Sequence, residues 1–197
     1  MKKAVLTAIP GILCLCLFTS CDGMIPQEVT EAQTKEHIAE YRQELADVSQ
    51  KYGYTFQEKE ATEREYDSGR VIAKYQIEID ETSQVTVRIT NKEGEESFSL
   101  VYTDQQKTPV SVMRSGNTTL IRSLLEMANC LSGKEYPYEK TRDFLGDSSK
   151  GARKTREGEL ISRRGCLNPG GNWTIDYTLD DTLKEQVAMN GPTRYGA

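Results

Sequence analysis

Hydrophobic positions along the chain change period three times, and each change marks an element. Ile38, Tyr41, Leu45, Val48 and Tyr52 recur at steps of three and four, which places them along one stripe of a helix. Thr30 with Gln33 three residues on has capping-box spacing, and Gly53 supplies the stop. From Tyr54 the period falls to two. Tyr54 and Phe56, then Val71, Ala73, Tyr75, Ile77 and Ile79, then Val85, Val87 and Ile89, then Phe98, Leu100 and Tyr102 alternate with polar residues. The turns between the later runs, Asp80 to Ser83 and Asn91-Lys92-Glu93-Gly94, are too short for parallel crossovers, so an antiparallel meander with one dry face is expected. The helical period returns at Leu120, Ile121, Leu124, Leu125, Ala128 and Leu131, between Asn117 as cap and Gly133 as stop.

Past Pro137 a short helical turn with Tyr138 and Phe144 is predicted to end near Leu145, followed by a polar loop from Gly146 to Gly158. Two further strands are expected, over 159–162 and 173–179, about the turn-forming run Asn168 to Asn172. Gly191, Pro192 and Gly196 predict a flexible tail over 189–197. The expected fold is therefore α+β: one domain over 30–188, an antiparallel β-meander sheet with two main helices packed on one face.

The start of the chain has another character. Lys2 and Lys3 precede an apolar run of about 15 residues, Ala4 to Phe18, and small polar residues lead to Cys21. A membrane span needs roughly 20 apolar residues, and these are the proportions of a secretory signal. Phe18-Thr19-Ser20-Cys21 resembles the lipobox of bacterial lipoprotein precursors, although Phe18 stands where Leu is commonest. The resemblance covers about a tenth of the chain. It implies a signal peptide over 1–20, removal of that peptide, and acylation of Cys21 with palmitate-type chains. Residues 21–29 then form a lipidated tether, and the protein is an exported one, held by its lipid to the bacterial cell membrane or outer membrane. Two or three acyl chains hold a protein stably where one holds it only marginally.

Cleavage there would leave 177 of the 197 residues and move the formal charge from −5 to −7 by removing Lys2 and Lys3. An acidic chain disfavours nonspecific attraction to nucleic acid and to anionic headgroups, so no nucleic-acid partner is expected and the membrane is reached through lipid. Cys14 and Cys16 would leave with the signal, so the exported domain retains Cys130 and Cys166. In an oxidising compartment these are expected to form a disulfide, worth about 4 kcal/mol by loop entropy; two buried thiols are the alternative.

Candidate chemistry is sparse. His37 is the one histidine, so every mechanism based on imidazole passes through it, and an ordinary surface or half-buried role is the bland reading. No GxSxG elbow, SxxK pair, phosphate-binding glycine loop or calcium loop occurs, and neither a cofactor nor a metal site is expected. Ser148-Ser149-Lys150 sets hydroxyls beside an amine at a spacing common by chance. Carboxylate catalysis on a glycan needs only two acids about a cleft, and Asp176, Asp180 and Asp181 are the first cluster to inspect, against a solubilising edge strand. Trp173, after a Gly-Gly turn, is a candidate ligand platform or a core residue. Six bases between Lys150 and Cys166, among them Arg153, Lys154 and Arg156, face only Glu157 and Glu159. That stretch is a solvated loop, a match for the acidic strands, or a contact for an anionic partner. Three functions stay open: a non-catalytic binding or interaction module of the cell envelope, an envelope enzyme acting by carboxylates, and a scaffold or inhibitor of another envelope protein. The partners these imply are the membrane through Cys21 and an envelope protein or polysaccharide.

Overall fold

The computed structural model describes residues 29–61, 65–66, 69–105, 118–135, 138–146, 153–154, 161–165, 174–180 and 184–196. Helix α1 spans Glu31–Tyr52. Its start is the capping box that the sequence predicts: Gln33 N donates to Thr30 Oγ1, and Thr30 N donates to Gln33 Oε1. Its end is Gly53 at φ 74°, a left-handed stop that glycine adopts without a Cβ penalty. Strands β1 (Thr55–Lys59), β2 (Glu65–Tyr66), β3 (Gly69–Glu78), β4 (Ser83–Lys92) and β5 (Glu95–Asp104) follow. Helices α2 (Thr118–Ser132) and α3 (Tyr138–Gly146) come next, then β6 (Arg153–Lys154), β7 (Ile161–Gly165), β8 (Thr174–Asp180) and β9 (Lys184–Pro192). The fold is α+β, and every strand pairing is antiparallel.

Among the described residues the strands form one sheet of nine, ordered β1-β3-β4-β5-β9-β8-β7-β6, with β2 paired to β3. Two meanders are therefore joined edge to edge, β3-β4-β5 and β9-β8-β7-β6, with the helical segment between them in sequence. The joint is β5 against β9, running from Ser97 opposite Pro192 to Asp104 opposite Glu185. This overturns the expected flexible tail. Residues 184–192 form an interior strand, Met189 is buried, and the chain beyond it docks. Gly191 and Pro192 read as breakers in isolation, but Pro192 is the last residue of its strand, where a missing N–H is tolerated.

Alternation along the long strands decides the core. Tyr75, Ile77, Val85, Val87, Ile89, Phe98, Leu100, Tyr177, Val187 and Met189 join Tyr41 and Leu45 of α1 and Leu124, Met127 and Leu131 of α2 in one buried cluster. The helices run in opposite senses, since Tyr54, just past the end of α1, bonds Ser123 in the first half of α2. Lys51 Nζ donates to both carboxylate oxygens of Glu126, tying the two helices at that level. A register irregularity between Val71 and Ala73 shifts the pairing by one residue, and next to it Thr90 and Asn91 are both buried.

The β4–β5 hairpin closes through two residues, Glu93 at φ 51° and Gly94 at φ 90°. Positive φ at both positions is the signature of a type I′ turn, in which the first place favours Asn and tolerates Glu poorly. Glu93→Asn is accordingly expected to stabilise the domain by about 0.5–1 kcal/mol, read as a higher denaturant midpoint at unchanged slope. A lower midpoint would show that the Glu93 side chain contributes more than the turn strain costs.

Candidate functional site

The densest polar arrangement lies where the end of β9 meets the start of β5 and the middle of α1. Glu96, on the dry face of β5, is fully buried at 0% exposure. Its Oε1 accepts from Tyr41 Oη at 2.8 Å and from Thr193 Oγ1 at 2.7 Å. Its Oε2 accepts from His37 Nδ1 at 2.9 Å. A buried carboxylate costs several kcal/mol to desolvate, and three donors from two segments, His37 and Tyr41 on α1 and Thr193 past β9, are the compensation that makes it tolerable. Burial, with Glu96 alongside, pushes the Tyr41 hydroxyl far above its ordinary value, so it keeps its proton and donates it in the bond to Glu96.

A second layer covers the first. Tyr195 stacks on the His37 ring at 3.7 Å between centroids and donates to Glu40. Arg194 forks onto Glu44 at 2.9 and 3.0 Å and reaches Glu40 at 2.9 Å, while its guanidinium lies 5.2 Å from the Tyr41 and Tyr195 rings. Its backbone N–H donates to Leu131 O at the end of α2. Residues 193–196 therefore clamp α1, α2 and β5 together. Two close approaches require glycine here. A Cβ on Gly133, at φ 65°, would stand 2.7 Å from Arg194 Cβ, and one on Gly196 would stand 2.0 Å from Glu96 O.

Nδ1 bonded to a carboxylate leaves Nε2 as the working atom of an imidazole, which is the orienting half of an acid–base pair. Among the described residues the hydrogen bond of His37 is the one through Nδ1 to Glu96. The arrangement is a clamp by its contacts. Of its members the sequence reading names only His37 as candidate chemistry. Glu96 carries a signal all the same: it has the parity of Phe98, Leu100 and Tyr102, which places a carboxylate on the dry face.

The other predicted site residues fall as follows. Asp176 is directly opposite Arg164, which donates to it through Nε at 2.7 Å and Nη2 at 3.1 Å. Asp180 ends β8 opposite Lys184. Arg153 and Lys154 form β6, paired with Ser162 and Ile161. Cys21, Ser148, Ser149, Lys150, Arg156, Cys166, Trp173 and Asp181 lie outside the described residues. Among the described residues no group of three or more His, Cys, Asp or Glu could hold a metal ion, and no helix is long and apolar enough to cross a membrane.

Cys130, half-buried on α2, makes no disulfide among the described residues, and Cys166, its expected disulfide partner, lies outside them. Burial, reinforced by Glu44, pushes the Cys130 thiol up to about 11. At pH 8 that leaves roughly one thiolate in a thousand, so alkylation of Cys130 in the folded protein should run roughly 100-fold slower than in urea. Peptide mass spectrometry over a time course measures both rates, and equal rates would show that the site does not protect the sulfur.

At the opposite end of the sheet a cleft of about 310 Å³ is lined by Glu78, Asp80, Glu81, Thr82, Ser83, Gln84 and Gln105. Two of its carboxylates are engaged in the fold. Glu78 accepts from Gln57, and Asp80 accepts from Thr82 N and Ser83 N, each at 2.8 Å. Burial pushes Asp80 up, but these bonds outweigh it and hold the carboxyl below its usual range. A scan against protein-family models and searches of curated proteins and of solved structures each found no match to this chain.

Proposed function

We propose that this is a lipid-anchored protein of the bacterial cell envelope whose exported domain acts as a non-catalytic binding or interaction module. The observation that carries the reading is the leader, in which Lys2, Lys3 and the run Ala4 to Phe18 precede Ser20-Cys21. The described residues begin soon after that cysteine, at Val29. A binding role is favoured over a catalytic one by the use made of the acids. Glu96, Glu78, Asp80 and Asp176 are each held by donors that serve the architecture.

The test is maturation in a bacterial host fed labelled palmitate. The expected result is label on the native protein, sedimentation with membranes, and loss of both in Cys21→Ala or under globomycin. Unchanged processing of the Cys21→Ala precursor would overturn the anchoring. Affinity capture of the acylated protein from detergent-solubilised envelopes then tests the binding role, and hydrolysis of purified envelope glycan by the pure protein would overturn it.

A further inference from the structure

The tether meets the domain at one defined corner. Val29 is buried; its N–H donates to Gly94 O at 2.8 Å, and its carbonyl accepts from Asn91 Nδ2 at 2.6 Å. Asn91 Nδ2 also reaches Thr34 Oγ1 at 3.0 Å, so one side chain pins the entry of the chain, the first turn of α1 and the β4–β5 turn. Both α1 and β4 have an end here. The other end of β4 is Ser83, beside the Asp80 turn and its cleft.

We infer that the domain stands with its β4–β5 turn toward the bilayer and the Asp80–Gln84 end pointing away, an orientation that rests on acylation of Cys21. Two lengths decide it. Seven residues lie between Cys21 and Val29, and the eight residue steps reach at most about 28 Å fully extended. The ten residues of β4 make nine steps, about 30 Å at 3.3 Å each. An inverted domain would need the whole tether, fully extended, merely to run the length of the sheet, with nothing left to meet the bilayer. Lying flat is opposed by charge, because the chain without Lys2 and Lys3 is net negative at −7 and anionic headgroups repel it. The corner itself is mixed, with Arg70 and Lys92 against Glu31, Glu93 and Glu95, so its charges nearly cancel. The lipid holds the domain, and the geometry sets which end is nearest.

Energy transfer in vesicles tests this with the full acylated protein. An azide-bearing residue placed at Glu95 or at Glu81, both exposed, is coupled to a donor dye, and acceptor-labelled lipid is included in phosphatidylglycerol/phosphatidylethanolamine vesicles. Transfer from position 95 should exceed that from position 81 by roughly twofold or more, given about 30 Å of extra height. Equal or inverted transfer from protein whose acyl mass on Cys21 is confirmed overturns the orientation alone. Protein that carries no acyl mass and does not bind vesicles overturns the anchoring reading, and the orientation falls with it.

Discussion

Replacing Glu96 by alanine should lower the stability of the folded domain by about 3–5 kcal/mol, the usual cost of removing one partner from a buried, hydrogen-bonded charge. The side chain is fully buried, and its two oxygens accept hydrogen bonds from Tyr41, Thr193 and His37. Alanine leaves the Tyr41 and Thr193 hydroxyls buried without an acceptor, at about 1–3 kcal/mol for each group. The effects share one acceptor and so do not add. At about 2–4 °C per kcal/mol for a domain of this size, the melting temperature should fall by roughly 10–15 °C. Glu96→Gln keeps the volume and one carbonyl acceptor, so its loss should be smaller. A change within about 0.5 kcal/mol for Glu96→Ala, the range of ordinary surface substitutions, would show that the cluster holds together without its carboxylate.

Local structure was legible wherever a short-range rule sufficed. The capping box at Thr30 and Gln33, the stops at Gly53 and Gly133 and the parity of Phe98, Leu100 and Tyr102 each depend on neighbours within a few residues. What escaped is non-local. In β9 only Val187 and Met189 give an apolar alternation, and Glu185 occupies a dry position because β5 and β8 flank it there. Nothing within 184–192 states that two strands wait on either side. The clamp escaped for the same reason: Glu96 lies 97 residues from Thr193, and Arg194 lies 150 from Glu44. Charges spaced so widely read as solvent-facing until the joint between the meanders brings them together. The acids Asp176 and Asp80 illustrate the converse, since their local setting already offered partners, Arg164 across the hairpin and Thr82 within the turn.

Ending the chain after Pro192 should destabilise the domain by about 2–4 kcal/mol, where a frayed tail would contribute nothing measurable. The five residues removed carry the Thr193 bond into Glu96, the Arg194 fork on Glu44, the backbone bond to Leu131 O and the Tyr195 ring over His37. Exposed ion pairs contribute little on their own; the loss comes mainly from the buried Thr193 hydroxyl and from exposing Glu96 and Tyr41. The difference between the full and shortened chains should also depend on pH. Glu40 is held below its ordinary range, first by the Tyr195 hydroxyl and then by Arg194, with His37 adding positive charge on the same helix. A lowered carboxyl contributes stability above its unfolded value, near 4.3, and that contribution fades as pH falls through the folded value. Tyr195 is raised, chiefly by donating to Glu40, so its contribution is present below about pH 10 and fades as the pH rises further. Urea melts of both chains between pH 3 and 11 should thus show their separation greatest on a plateau from about pH 5 to 9 and narrowing on either side. Superimposed curves across the range would return residues 193–197 to the status of a tail.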